Sequence, residues 1–139
     1  MSSNKEIILV KLGGSIITDK SKDSTVNTLK IEQLTKELAE VVKEGNQIIL
    51  AHGAGSFGHP QASQYKTAEG NINSDSRIGF SIVRKAVKEL NTLMVNQLIK
   101  NGVPAVGYSP MAFLSTDNKS VEAVFMDPLE TMLKHHLIP

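Results

Sequence analysis

The sequence predicts an α/β fold, an open αβα sandwich with a mostly parallel sheet. Two short apolar runs, Ile7–Leu12 and Gln47–Ala51, have the length and composition of strands that are covered on both faces. Between them apolar residues recur at helical spacing from Thr28 to Val42, and Gly45 follows as a stop signal. A strand, a helix and a strand in this order predict a right-handed parallel crossover.

The rest of the chain continues the alternation of helices and short strands within one domain of 139 residues. Pro60 suits the first turn of a short helix running through Tyr65, and the polar segment 66–75 predicts a loop. The longest helical pattern covers Ser76–Lys100. Further predicted elements are a strand start at 103–106, a hairpin across 113–125, a last helix over 129–136 capped by Asp127 and Pro128, and a strand beginning at Leu137.

Composition excludes several classes of function. With 15 Lys and Arg against 14 Asp and Glu, the formal net charge of +1 gives no basic field for nucleic acid. The absence of cysteine excludes disulfides and fits a reducing compartment. No apolar run approaches the roughly 20 residues that cross a bilayer, and the first residues lack a signal-peptide layout. We therefore expect a cytoplasmic protein with neither nucleic acid nor membrane as partner.

Each of the first two predicted strands ends in a glycine loop. Gly13, Gly14 and Ser15 follow the first strand, and a second loop, Gly53–Gly58, follows the other. Glycines between a strand and a helix expose backbone N–H groups that bind anions. Two such loops in one small α/β domain predict a protein that holds phosphate groups between them.

The second loop also resembles two known nucleotide-binding motifs, but the sequence lacks residues that each of them needs. The G-x-G-x-x-G spacing of Gly53–Gly58 matches the dinucleotide fingerprint, but that motif needs an acidic residue on a second strand about 20 positions on. The polar segment 66–75 offers no such strand. A Walker A loop needs Lys followed by Ser or Thr where His59 and Pro60 stand, so a standard P-loop is excluded.

Cationic side chains flank both loops. Lys11 lies in an apolar strand, and because a buried lysine is costly, its ammonium should emerge at the carboxyl end, where open α/β sheets bind ligands. Snorkelling into solvent is the alternative. His59 can donate a hydrogen bond to phosphate oxygens, or simply pack at a helix start. Lys20 is a weaker candidate in a polar loop, and His52 is expected to orient its loop.

One turn of the long helix, at Phe80 and Val83, offers an apolar wall beside the second loop, with a place in the core as the alternative. We expect no protein metal ligands, because the adjacent His135 and His136 point to different sides of a helix.

Segment Lys11–Lys20 has the pattern K-L-G-G-S-x-x-T-D-K, and segment His52–Pro60 has the sequence H-G-A-G-S-F-G-H-P. Both segments resemble the amino acid kinase superfamily. The Asp-Lys ending of the first and the S-F-G-H-P ending of the second are similar to its isopentenyl phosphate kinase branch and to the related fosfomycin kinases. The resemblance covers essentially the whole chain.

The resemblance implies transfer of the ATP γ-phosphoryl group to isopentenyl phosphate, giving isopentenyl diphosphate for isoprenoid synthesis, with Mg²⁺ arriving on ATP. It implies that Lys11 stabilises the transferring group, that Lys20 neutralises developing charge, and that His59 hydrogen-bonds the acceptor phosphate. The implied nucleotide contacts are Lys11, Gly13, Gly14, Ser15 and Gly55, and the implied substrate contacts are Ala54, Gly55, His59, Phe80 and Val83.

Members of this family are longer, and their second half carries the adenine site. The resemblance therefore implies that residues 1–139 are a truncated, N-terminal acceptor-binding part without the nucleotide-binding part, inactive alone. The expected partners are a complementary C-terminal half or chain and, for the complete enzyme, a second copy in a homodimer. A kinase of fosfomycin or of an amino acid, and a non-catalytic phosphate-binding fragment, stay open as alternatives.

Overall fold

A parallel pair of strands lies at the centre of the computed structural model, which describes residues 6–70 and 73–139. Strand β1 (Ile7–Leu12) pairs in register with β2 (Gln47–His52). Two helices separate them in sequence, α1 (Gly14–Ile17) and α2 (Thr28–Lys43). The predicted strand, helix and parallel strand are therefore confirmed.

Two short segments extend this parallel row beyond β2. The amide of Leu50 donates to the carbonyl of Pro139 over 3.0 Å, so the last residues lie alongside β2. Ile138 in turn forms a parallel bridge with Ala105. The strands predicted at 103–106 and from Leu137 are thus present as single bridges.

The predicted helices form, with boundaries set by their caps. After β2 and a 3₁₀ turn (Gly55–Phe57) comes α3 (His59–Gln64). Helix α4 (Ser74–Lys100) begins two residues before its predicted start, because Asn73 and Ser76 form a capping box. The predicted loop 66–75 contains a 3₁₀ turn at Thr67–Glu69, and its residues 71 and 72 lie outside the described residues.

The last part of the chain holds a hairpin and one helix. After a 3₁₀ turn (Pro110–Ala112), β3 (Leu114–Asp117) pairs antiparallel with β4 (Ser120–Val124), as predicted. Helix α5 (Asp127–Lys134) begins and ends two residues before the predicted helix over 129–136, and it stops before His136, which takes a positive φ of 57° that a helix does not accept. Asp127 lies inside its first turn, and Met126, not Asp127, is the cap.

The core lies on one face of the strand pair. Val10 and Leu12 of β1 pack with residues of α2 and α4, among them Ile31 and Leu90. The prediction that β1 is covered on both faces is wrong: on its other face Leu9 is 70% exposed. The physical reason is that these helices cover only the face that carries the even-numbered residues of β1. The α/β class and the mostly parallel sheet are confirmed, and no helix of the described ranges combines the length and apolar character needed to span a bilayer.

Candidate functional site

The two glycine loops touch each other through their backbones. A Cβ built on Gly53 would lie 2.7 Å from the amide nitrogen of Gly14, and one built on Gly14 would overlap the backbone of Gly55. Gly55 also has a φ of +51°, which residues with a side chain rarely adopt. The glycines are therefore required for close approach of the loops as well as for their turns.

Thr18 ties the first loop to the second. Its buried hydroxyl donates to the carbonyl of Gly14 over 2.7 Å and accepts from the amide of Ser56 over 3.0 Å. One hydroxyl thus uses its proton and a lone pair to join the loops. A role for Thr18 could not be predicted from the sequence, because its partner at Ser56 is 38 residues away.

Ser56 also anchors the basic loop, which is the segment after α1 that carries Lys20 and Lys22. Its hydroxyl donates to the carbonyl of Thr25 over 3.2 Å and accepts from the Thr25 amide over 3.3 Å. The amide of Ser24 donates to the carbonyl of Ser56 over 3.1 Å. These contacts hold the segment that carries Lys20 against the second glycine loop.

A cavity of about 540 Å³ opens between the glycine loops, the basic loop and the start of α3. Of the sequence-predicted site residues, Gly14, Ser15, Lys20, Gly55 and His59 meet in its wall. The full wall consists of Gly14, Ser15, Lys20, Ser21, Lys22, Asp23, Gly55, Ser56, His59 and Pro60.

Backbone donors without an acceptor lie in and beside this wall. The amides of Gly14, Ser15, Ala54 and Gly55 donate to no acceptor in residues 6–70 and 73–139. Unpaired backbone N–H groups arranged around a concave surface bind anions. The exposed side chains of Lys20 and His59 add a cation and a ring donor.

The acidic side chains near the cavity are engaged locally. The hydroxyl and the amide of Ser21 donate to Asp19 over 2.7 and 2.9 Å, and this holds the pKa of Asp19 below its usual value. The positive charge of Lys22 lowers that pKa further. The carboxylate of Asp23 accepts from the side-chain Nε2 of Gln61 in α3 over 3.1 Å. Asp19 accordingly stays charged to lower pH than an ordinary aspartate.

Other predicted site residues lie outside the cavity wall. Lys11 is exposed on β1, opposite Ala51 in the register. Gly13 is the cap of α1, and its carbonyl accepts from the amide of Ile16. Ala54 precedes the wall residue Gly55.

The two apolar candidates on α4 differ in position. Val83 packs beside the second loop, since a Cβ on Gly58 would lie 3.9 Å from its Cγ1. Phe80, 51% exposed, lines a separate cavity of about 570 Å³ with Arg77 and Thr67. Val83 thus lies against the loop at Gly58, the residue before His59, whereas Phe80 lines the second cavity.

Curated proteins of similar sequence match this chain at moderate identity. The isopentenyl phosphate kinase of Methanothermobacter thermautotrophicus is 30% identical over 138 residues, covering 96% of this chain and 51% of that protein. The enzyme of the same name from Methanocaldococcus jannaschii is 30% identical over 143 residues, covering 96% of this chain and 54% of the relative. The chain spans about half the length of the curated relatives it matches.

Solved structures show the same relation. An isopentenyl phosphate kinase structure matches with a TM-score of 0.88 and 29% identity, covering 96% of this chain and 56% of the other. The model of the amino acid kinase family matches residues 6–139, nearly the whole sequence. Together with the two glycine loops meeting at one cavity, this match means that the chain belongs to the amino acid kinase family.

Proposed function

We propose that this chain forms the acceptor-binding part of a kinase that phosphorylates isopentenyl phosphate to isopentenyl diphosphate, with ATP as donor. One observation carries the proposal: unpaired backbone amides, the Lys20 ammonium and the His59 ring converge on a single cavity. The relatives that bear the name isopentenyl phosphate kinase align over 96% of this chain, and their name supports the choice of substrate.

Phosphoryl transfer fits a site of this composition. The acceptor phosphate oxygen attacks the γ-phosphorus of ATP, a new P–O bond forms, and the bond to ADP breaks. Because the acceptor oxygen is already charged, the protein needs to position the two groups and neutralise their charge, without a strong base. His59 donates to the acceptor phosphate, and Lys20 balances the negative charge of the transferring group. The resemblance implies the same role for Lys11, which lies outside the cavity wall.

The first loop fits the phosphates of the nucleotide. Gly14 and Ser15 line the cavity, and because their amides have no acceptor within residues 6–70 and 73–139, they can donate to phosphate oxygens. The described residues contain no group of three His, Cys, Asp or Glu side chains that would hold a metal. We therefore assign Mg²⁺ to the ATP phosphates, where it would neutralise charge.

Full activity, in this proposal, needs polypeptide equivalent to the other half of the relatives, in the same or in a complementary chain. The exposed apolar residues Ile7 and Leu9 give such a part a surface on β1 to cover. The division of labour between an acceptor-binding and a nucleotide-binding part and the homodimer stay predictions from the resemblance, and the cytoplasmic location stays a prediction from composition.

The substrate is expected to have a phosphate head and an apolar tail. Val83 beside the second loop and Phe80 in a separate cavity provide apolar surface on the same helix, α4. An amino acid substrate would place a charged ammonium and carboxylate near such surface, which carries a desolvation cost. This favours isopentenyl phosphate over the amino acid alternative.

Calorimetry of the chain with isopentenyl phosphate tests the proposal. Replacing His59 with alanine removes a charged hydrogen bond worth about 1.5–3 kcal/mol, so the dissociation constant should rise at least tenfold. His135→Ala is the matched control, because His135, the C-cap of α5, is an exposed histidine outside the cavity wall. Equal affinity of wild type and His59→Ala would refute the assigned site, and tighter binding of fosfomycin would identify the sibling activity.

A further inference from the structure

The ring of His52 has a partner at each nitrogen. Its Nδ1 lies 3.0 Å from the carbonyl oxygen of Gly53, and its Nε2 lies 3.1 Å from Nδ2 of Asn91 in α4. A carbonyl oxygen only accepts, so Nδ1 must carry a proton. The Asn91 amide nitrogen only donates, so Nε2 must present its lone pair. Both contacts together require a neutral ring that is protonated at Nδ1.

The side chain of Asn91 has the orientation that this tautomer needs. A Cβ built on Gly107 would lie 2.5 Å from Oδ1 of Asn91, so the amide oxygen lies against the Gly107 backbone. The amide nitrogen of the same side chain then faces His52. Asn91, on α4, therefore supplies the donor at Nε2 that complements the Gly53 carbonyl at Nδ1.

The contact to Gly53 determines where the next amide points. The carbonyl of Gly53 and the N–H of Ala54 share one peptide plane and, in a trans peptide, point in opposite directions. Donation from His52 to this carbonyl therefore turns the Ala54 N–H away from the ring. That N–H has no acceptor within the described parts of the chain, and it belongs to the unpaired amides beside the cavity.

We propose that Asn91 and His52 are a positioning pair: Asn91 sets the His52 tautomer, and His52 aims the Ala54 N–H at the bound anion. The pair acts through the backbone and does not touch the substrate. The identity of the anion as a phosphate rests on the proposed function, whereas the tautomer and the amide orientation do not.

The test uses the 139-residue chain labelled with ¹⁵N, with inorganic phosphate and isopentenyl phosphate as probes. Long-range ¹H–¹⁵N spectra report the His52 tautomer, assigned by loss of its signals in His52→Gln. In wild type we expect protonated Nδ1 and unprotonated Nε2. In Asn91→Leu, which keeps the size but removes the donor, we expect loss of that tautomer, a shifted Ala54 amide signal, and about tenfold weaker binding of either probe.

Asn96→Leu is the matched control, because Asn96 is an exposed asparagine of the same helix whose side chain has no hydrogen bond to any residue that the structure describes. It should leave the tautomer, the Ala54 signal and the affinity unchanged. A wild-type ring protonated at Nε2, or an Asn91→Leu variant with wild-type Ala54 signal and affinity, overturns the proposal. Absence of binding by wild type would refute the proposed function instead, and the tautomer and the Ala54 signal would still decide the role of the pair.

Discussion

Replacing Thr18 with valine should loosen the junction between the two glycine loops. Valine keeps the β-branched shape but removes the hydroxyl that joins Gly14 to Ser56. The carbonyl of Gly14 keeps the Thr18 backbone amide as a donor at 3.0 Å, so it is not orphaned. The amide of Ser56 loses its acceptor inside a buried turn. The expected cost is therefore the penalty of one unsatisfied buried donor, about 1–3 kcal/mol.

Urea unfolding of the full chain measures this cost, and calorimetry with isopentenyl phosphate measures its effect on the site. Thr18→Ser is the matched control: it keeps the hydroxyl and loses only a methyl group, so its free energy of unfolding should exceed that of Thr18→Val. Affinity should fall in Thr18→Val, because the amide-bearing loops lose their fixed spacing. If the valine variant is as stable as wild type, or the serine variant is destabilised to the same extent, the hydroxyl does not join the loops.

Three further changes probe the glycine loop, the basic loop and its carboxylate. Gly55→Ala should lower the free energy of unfolding by more than the roughly 1–2 kcal/mol of left-handed backbone strain, because its Cβ would also overlap Thr18. Gly102→Ala is the control for strain alone, because Gly102 has a φ of +78° and open space around it. Equal unfolding midpoints of the two variants would contradict the overlap. Lys20→Ala should weaken phosphate binding measured by calorimetry at low salt, whereas Lys36→Ala, at an exposed position of α2, should not. Equal losses of affinity would mean that Lys20 acts only through the net charge of the protein. Because the folded pKa of Asp19 is lowered, its contribution to stability is present above its ordinary value of 3.8 and is lost as pH falls through the folded pKa. Asp19→Asn should therefore flatten that part of the pH dependence of urea unfolding, and an unchanged profile would show that its hydrogen bonds do not contribute.

Apolar periodicity was sufficient to predict the elements that position the site. It predicted β1, α2, β2 and α4, because each contributes apolar residues to the core at a spacing that the sequence displays directly, whereas the exposed hairpin followed from the polar turn between its two strands. The meeting of the two glycine loops also followed from sequence, since parallel strands present their carboxyl ends at one edge. What failed was the covering of β1 on both faces, because a run of apolar residues does not tell which face has a helix packed on it.

The residues that fix the loops could not be predicted in the same way. Thr18 and Asn91 act on partners 38 and 39 residues away, and neither has a spacing pattern that announces such a contact. A threonine after a helical turn and an asparagine inside a helix are ordinary in sequence. Their significance appears only when tertiary packing brings them to the loops.

The hydrogen bonding of the two loops explains why the site prefers an anion. Their carbonyl oxygens are occupied by donors of the protein itself, including the amides of Ile16, Phe57 and Gly58 and the side chains of Thr18 and His52. The occupied carbonyls are those of Gly13, Gly14, Gly53, Ala54 and Gly55. Several amides of the same loops have no acceptor in the described residues. A surface whose acceptors are used and whose donors are free attracts negative charge, and it does so before any lysine is counted. Lys20 and His59 then add strength to a preference that the backbone already sets.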